Sequence, residues 1–419
     1  MKSRKIFIIL IIFFCAATFL SGCIDAPVVP NGIIKGVVYD KNGYPVSHAF
    51  VSIGDFPIAR SNYSGSFSFD QSLIPYNLTV GYTGEAGAKY LGLHTPICNV
   101  YNTTYDYSYP LFVKISFPPW NHNRIVFIKF ISPEPFLQSP VQLDVLSDTT
   151  WLTLINVSRN MGISSGKFLY LEASTWDGVH IDAYRKFGII QAPINTGQFP
   201  EVHFKPGDIV NIPGQSVVNF RISMPEDLVN YSTDCYISFN GMNKGSDLHL
   251  DYVLSNNSGT FQIPVFNGLD YKFKIVSSYL NIPSVSDAVG TTWGYSYHGE
   301  DVTLTHDIPI ELVMPSNDQK NITDATNFQI SDPGQKGVYF YHFILGIHSL
   351  TIITDKTSIR FSDVKSRLAD FEPNTEYFWY VLKYPKYTSI DDFVSVKYTE
   401  DNRYNSIPCS QSFLFTTAP

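Results

Sequence analysis

Ile34-Lys35-Gly36-Val37-Val38-Tyr39-Asp40, then Lys41-Asn42-Gly43-Tyr44-Pro45, then Val46-Ser47-His48-Ala49-Phe50-Val51-Ser52-Ile53 is the stretch that decides the fold. The first run reads as a strand. The second is turn chemistry, because Asn-Gly reaches positive φ at little cost. The third is another strand, with Val46, Ala49, Val51 and Ile53 apolar. Asn62-Tyr63-Ser64-Gly65 is a further turn, followed by alternating Ser66-Phe67-Ser68-Phe69 and by Asn77-Leu78-Thr79-Val80. Alternation of period two predicts half-buried strands joined as hairpins.

The rest of the chain has the same character. Of its 419 residues, 44% are hydrophobic and only 16% charged, which suits packed domains and excludes a disordered stalk. Tyr and Phe number 27 and 31, while Ala and Glu are scarce, so strand formers outnumber helix formers. The length exceeds what one core serves and predicts two to four domains. The net charge of −8 falls to −11 once Lys2, Arg4 and Lys5 are removed with a leader. An acidic surface argues against nucleic acid as a partner.

That leader is Met1-Lys2-Ser3-Arg4-Lys5, an apolar run from Ile6 to Phe19, and Leu20-Ser21-Gly22-Cys23. Charge, an apolar core and small residues in that order make a secretory signal. The core is too short to span a bilayer as an anchor. The last four residues resemble the lipobox of bacterial lipoproteins. The resemblance implies cleavage before Cys23, lipid on its thiol, and a body held in the cell envelope on the extracytoplasmic side of a membrane. Pro-containing residues 23–32 then form a tether. Cys98, Cys235 and Cys409 remain, scattered and odd in number, and read as isolated thiols, with one disulfide at most.

Gly36, Val38, Asp40, Gly43, Pro45, Val46, Ala49, Val51, Ser64, Gly65 and Phe67 resemble the motif of carboxypeptidase regulatory-like (transthyretin-like) β-sandwiches, a family of non-catalytic accessory modules. One departure is Ser47-His48, where that family carries a small residue. Ser64-Gly65-Ser66-Phe67 recurs as Ser165-Gly166-Lys167-Phe168 and Ser258-Gly259-Thr260-Phe261. Each copy is followed by a Tyr-containing strand and then by a Pro-flanked one: Leu111 to Pro118, Val202 to Pro206 and Ile308 to Pro315. Fixed-period similarity predicts serial modules. Near the end, Leu368, Pro373, Thr375, Tyr377, Trp379, Val381 and a terminal Ser-Phe-Thr pattern resemble a fibronectin type III module. The expectation is an all-β chain of tandem Ig-like or transthyretin-like β-sandwiches after an N-terminal signal helix. Its divisions are 1–22 leader, 23–32 tether, then sandwiches over 33–118, 119–210, 211–315 and 316–419. Ser362 to Leu368 reads as a short helical turn.

Motifs for chemistry are weak. Gly162-Ile163-Ser164-Ser165-Gly166 matches the hydrolase pattern G-x-S-x-G, but a strand follows where the elbow needs a helix. Asp40-Lys41-Asn42-Gly43 starts like a calcium loop, yet Val51 stands where the twelfth ligand should be. Asp247, His249 and Asp251 share one strand face and could ligate a metal; a wet strand face predicts the same pattern. No metal, cofactor or catalytic residue is assigned. Asn-x-Ser/Thr sequons at Asn77, Asn102, Asn156, Asn230 and Asn321 read as Asn-rich composition.

Two aromatic ladders are candidate ligand platforms: Tyr105, Tyr107 and Tyr109, and Trp293, Tyr295 and Tyr297. Exposed, such a row suits a sugar ring or a protein hot spot; buried, it is core, and the small residues between favour core. The leading function is a non-enzymatic, lipid-anchored surface protein whose modules are spacers and binding domains. The alternatives are a carbohydrate-binding lipoprotein of a glycan-uptake system and an envelope-assembly or enzyme-accessory subunit. The expected partners are the membrane, through the lipid, and a glycan or surface-protein ligand.

Overall fold

The computed structural model describes residues 32–39, 45–54, 58–70, 74–82, 85–101, 108–120, 124–131, 141–158, 165–175, 181–193, 200–225, 228–239, 247–266, 269–280, 289–297, 299–334, 336–345, 348–365, 371–395 and 404–419. Cys23, the leader, the tether up to residue 31, Tyr105 and Tyr107 lie outside them. The architecture is all-β, as expected, and arranged as a series of β-sandwiches. Among the described residues, no helix is long and apolar enough to cross a membrane.

The quoted strands form but are not joined as hairpins: Phe50–Ile53 lies in a different sheet, between Ala59–Arg60 and Tyr76–Tyr82, and the turn at 41–44 lies outside the described residues. Strand Ile34–Tyr39 pairs antiparallel with Ser66–Phe69 and parallel with Ile97–Tyr101. The turn before Ser66 is closed by Asn62, whose Oδ1 accepts the amides of Ser64 and Ser66 at 3.0 and 2.9 Å. Gly65 sits there at φ +74°, and a Cβ would come 2.8 Å from the Val38 carbonyl oxygen, so only glycine fits.

The first three sandwiches close the same way, the opening strand running parallel to the closing strand: Ile34–Tyr39 with Ile97–Tyr101, Ser108–Ser116 with Glu201–His203, and Gln215–Ser223 with Val302–Thr305. In the last sandwich Glu311–Met314 opens against Asn327–Ser331, and the second strand, Gln319–Ile322, runs parallel to the closing Phe413–Thr417. This pairing corrects three details of the sequence reading. The strand over Leu111 to Pro118, expected to close the first module, opens the second, because its backbone pairs with Thr150–Ser158. Val302–Thr305, rather than the Ile308 to Pro315 segment, closes the third. The Ser-Gly-x-Phe copies at 64 and 258 are equivalent, since each begins the strand antiparallel to the opening strand. The copy at 165 is not: it lies in strand Ser165–Thr175, which pairs with Arg124–Ile131 and Ile181–Pro193.

Four apolar cores result, and they are stitched together. In strand Ser165–Thr175, Phe168 and Tyr170 face the second core while Leu169, Leu171 and Ala173 enter the third. All five are buried. A strand covered on both faces reads as an unbroken apolar run, as Phe168 to Leu171 does here. Its one buried charge, Glu172, is held by Arg124, by Lys186 at 3.6 Å and by the Tyr170 hydroxyl at 3.2 Å.

The first and last sandwiches share one nine-stranded sheet. Its spatial order is Gln319–Ile322, Phe413–Thr417, Glu376–Tyr384, Val338–Leu345, His348–Thr354, Glu85–Leu93, Tyr76–Tyr82, Phe50–Ile53 and Ala59–Arg60. The seam is the parallel register Thr351↔Ala88, Ile352↔Lys89, Ile353↔Tyr90. Helix α1 (Phe361–Val364) and helix α2 (Ile390–Ser395) flank it. Ile390, Phe393 and Val394 of α2 pack into the first core, and Asp391 accepts the amides of His94 and Thr95 at 2.8 and 3.1 Å. The last sandwich also lends strand Tyr404–Ile407 to the third, beside Val289–Ser296. In the last core Lys383 and Asp332 form a buried pair at 2.7 Å, with the Tyr339 hydroxyl donating to the same carboxylate at 2.5 Å.

Because strand Ser165–Thr175 serves two cores, a cavity opened at Leu171 on its third-core face is felt in two modules. Leu171→Ala should cost about 3 kcal/mol and speed hydrogen exchange in both the 108–203 and 215–305 sandwiches. Protection lost in only one of them would show that the strand is not common to both cores.

Candidate functional site

The five-stranded sheet of the third sandwich has the order Leu248–Leu254, Val229–Phe239, Tyr271–Leu280, Val289–Ser296, Tyr404–Ile407. Its inner face carries Cys235, Ile237, Phe273 and Ile275. Residues directly opposite in an antiparallel pair share a face, so the register fixes the outer face as well. Lys274 opposes Tyr295, Val276 opposes Trp293, and Tyr236 opposes both Lys274 and His249. The outer face is thus aromatic and charged.

The second ladder lies there, but not as a bare platform. Tyr295 is only 6% exposed, and Trp293 and Tyr297 are half-buried. The Lys272 ammonium sits 3.9 Å from the centre of the Tyr295 ring, and that of Lys274 sits 5.5 Å from the Trp293 ring. Cations occupy the ring faces that a sugar would stack upon. Of the first ladder, only the backbone of Tyr109 is described, in strand Ser108–Ser116. The two lysines escaped the sequence reading although Lys272-Phe273-Lys274-Ile275 alternates plainly and marks them as outward.

The three candidate metal ligands are separated by their own partners. Asp247 pairs with Lys274 at 3.4 Å, His249 Nε2 lies 3.1 Å from Asp234, and Asp251 accepts the Tyr252 amide at 2.8 Å. Lys129 of the second sandwich feels Asp247; burial holds its ammonium below the ordinary lysine range and that carboxylate partly restores it. Among the described residues, no three His, Cys, Asp or Glu side chains converge on one point.

Nucleophiles are likewise committed. Ser277 and His306 approach as a nucleophile and base would, Oγ to Nε2 at 2.8 Å. Both are buried, and Ser277 also donates to Asn230 at 3.2 Å. The pair holds the end of a core; no substrate reaches it. Among the described residues, His306 Nδ1 has no hydrogen-bond partner, so no acid completes a triad; the ring is instead packed edge-on against Tyr279, centroids 5.0 Å apart. Cys98, Cys235 and Cys409 are all free thiols. Burial pushes Cys98 up to about 12 and Cys409 to about 11, and raises Cys235 too, which leaves the thiolates that would react unpopulated.

No protein-family model and no curated protein matches the chain. Among solved structures, the crystal structure of BcpA, the major pilin subunit of Bacillus cereus, is similar over 66% of this chain and 98% of that one, at 8% sequence identity and a TM-score of 0.15. A likeness that slight carries no argument about fold or role.

Burial pushes the His306 imidazole down to about 4, while an unfolded histidine titrates near ~6.5. The unfolded chain therefore takes the extra proton first. Stability is complete above pH ~6.5 and declines as pH falls towards 4, by about 3 kcal/mol from this residue. The urea midpoint should drop between pH 7 and 4.5, and drop less in His306→Gln. An equal drop in both proteins would remove His306 as the cause.

Proposed function

We propose that the protein is a non-enzymatic, lipid-anchored protein of the cell envelope, exposed on the extracytoplasmic side, whose β-sandwiches form a scaffold for spacing and binding. The observation that carries this reading is the leader ending in Leu20-Ser21-Gly22-Cys23. The first described strand starts at Ile34, so the intervening tether reaches at most about 35 Å. It enters the nine-stranded body, and the two middle sandwiches then extend as one chain excursion from that base. The carboxypeptidase regulatory-like identity of the first module and the fibronectin type III-like identity of the last belong to the same proposal.

Sealed thiols, a sealed Ser277–His306 pair and ion-paired acids support a binding scaffold over a catalytic one. The glycan-uptake reading loses its aromatic platform to Lys272 and Lys274, so any recognition of sugar must use another surface.

Mass spectrometry of the mature protein should find the leader removed and diacylglycerol thioether-linked to Cys23. Cys23→Ala should keep its leader. An uncut leader with a bare thiol at 23 in the wild type would refute the anchor.

A further inference from the structure

At the seam between the first and last sandwiches lies a cavity of about 420 Å³, within the range of small-ligand sites. Its floor is apolar, made by Leu91 of the first module and Ile359 of the last, both buried. Its walls are polar and come from both modules. Asn77 stands on one side; Asn327, Ser358, Lys356, Arg360 and Asp363 stand on the other.

The parallel pairing of Glu85–Leu93 with His348–Thr354 makes this juxtaposition, by setting strand Ser358–Arg360 and the turn before it over Asn77 and Leu91. Asn77 Oδ1 is engaged by the Gly92 amide at 3.0 Å, which leaves the Asn77 amide nitrogen as a donor. Gly92 sits at φ +79°, and the Lys356 ammonium reaches to 3.9 Å from where a Cβ on it would stand. Asp363 accepts the Arg360 backbone amide through Oδ2 at 3.1 Å and keeps Oδ1 for another donor.

The lining has a definite charge. Lys356 and Arg360 are exposed, and neither has a carboxylate partner among the described residues. Two cations and one carboxylate leave the cavity net positive by one charge, on a protein of net charge −8. That balance suits a monoanion. A guanidinium fork matches a carboxylate in two parallel hydrogen bonds. Amide, hydroxyl and carboxylate groups around it both donate to and accept from hydroxyls. The Leu91–Ile359 floor suits the C–H face of a ring. A phosphate dianion fits less well, because Asp363 would repel its second charge.

We propose that this seam cavity binds a small carboxylate-bearing saccharide. Arg360 and Lys356 hold its carboxylate, and Asn77, Asn327, Ser358 and Asp363 hold its hydroxyls. The assignment deepens the binding-scaffold reading by naming a ligand class, and it stands independently of lipid attachment at Cys23.

The test is calorimetric titration of the full-length protein in mild detergent with galacturonic and glucuronic acids, with galactose and glucose, and with inorganic phosphate. A uronic acid should bind at least about tenfold more tightly than its neutral counterpart, since the neutral sugar loses the charge-assisted contacts to Arg360 and Lys356. Arg360→Ala and Lys356→Ala should each weaken uronate binding about tenfold while leaving the thermal midpoint unchanged, because both side chains are exposed. Arg360→Lys should recover part of the affinity. Equal binding of neutral sugars, tighter binding of phosphate, no heat from either uronic acid at millimolar concentration, or unaltered affinity in both alanine variants would each overturn the proposal. Uronate binding by a protein whose Cys23 is bare would sustain the cavity and refute the anchor alone.

Discussion

Strand His348–Thr354 hydrogen-bonds in parallel to strand Glu85–Leu93, and with that ladder the two ends of the chain become one sheet. Each strand would otherwise be an edge, with a row of unpaired amides and carbonyls open to another chain. Joined, they shield one another: Ala88, Tyr90, Thr351, Ile352 and Ile353 are all buried. Lys89 fastens the seam on its last-core face by donating to the carbonyls of Asp363 and Lys365 at 2.5 and 2.9 Å. Helix α2 fastens it from the other side by filling the first core with Phe393 and Val394.

From that seam the remaining joints follow. The last sandwich donates strand Tyr404–Ile407 to the third, and the third shares strand Ser165–Thr175 with the second. The chain is serial in sequence and cross-linked in space. Few of its modules could be removed without exposing an apolar face that another module now covers. Val338–Phe343 shows the same economy as Ser165–Thr175, with Val338 and Phe340 in the first core and Tyr339, Tyr341 and Phe343 in the last.

The strands themselves were legible in the sequence, because alternation and turn residues are local signals. Tyr377, Trp379 and Val381 could be placed on one face from spacing alone, and they do share the last core. Joins between modules were not legible. Nothing in Ala88-Lys89-Tyr90 names Thr351-Ile352-Ile353 as its neighbour; any apolar β-strand of similar length would satisfy the same pattern. Which strand ends one module and which begins the next was not legible for a related reason. The Pro-flanked run at Leu111 to Pro118 looks the same whether it closes one sandwich or opens the next. The Ser-Gly-x-Phe motif also misled at 165, since a hairpin entry and the start of a doubly buried strand use the same residues. At the outer face, the ladder Trp293, Tyr295, Tyr297 was visible, whereas the cations above it belong to the neighbouring strand and needed the register. The seam cavity was invisible, because Asn77 and Arg360 meet only once the sheet is complete.

The central claim is that first and last sandwiches are one cooperative body. Native-state hydrogen exchange of the full chain in rising denaturant tests it most directly. Amides of Glu85–Leu93 and His348–Thr354 should open in a single step, with one free energy and one denaturant dependence. Two separate openings, with the first sandwich losing protection while the last keeps it, would contradict the account.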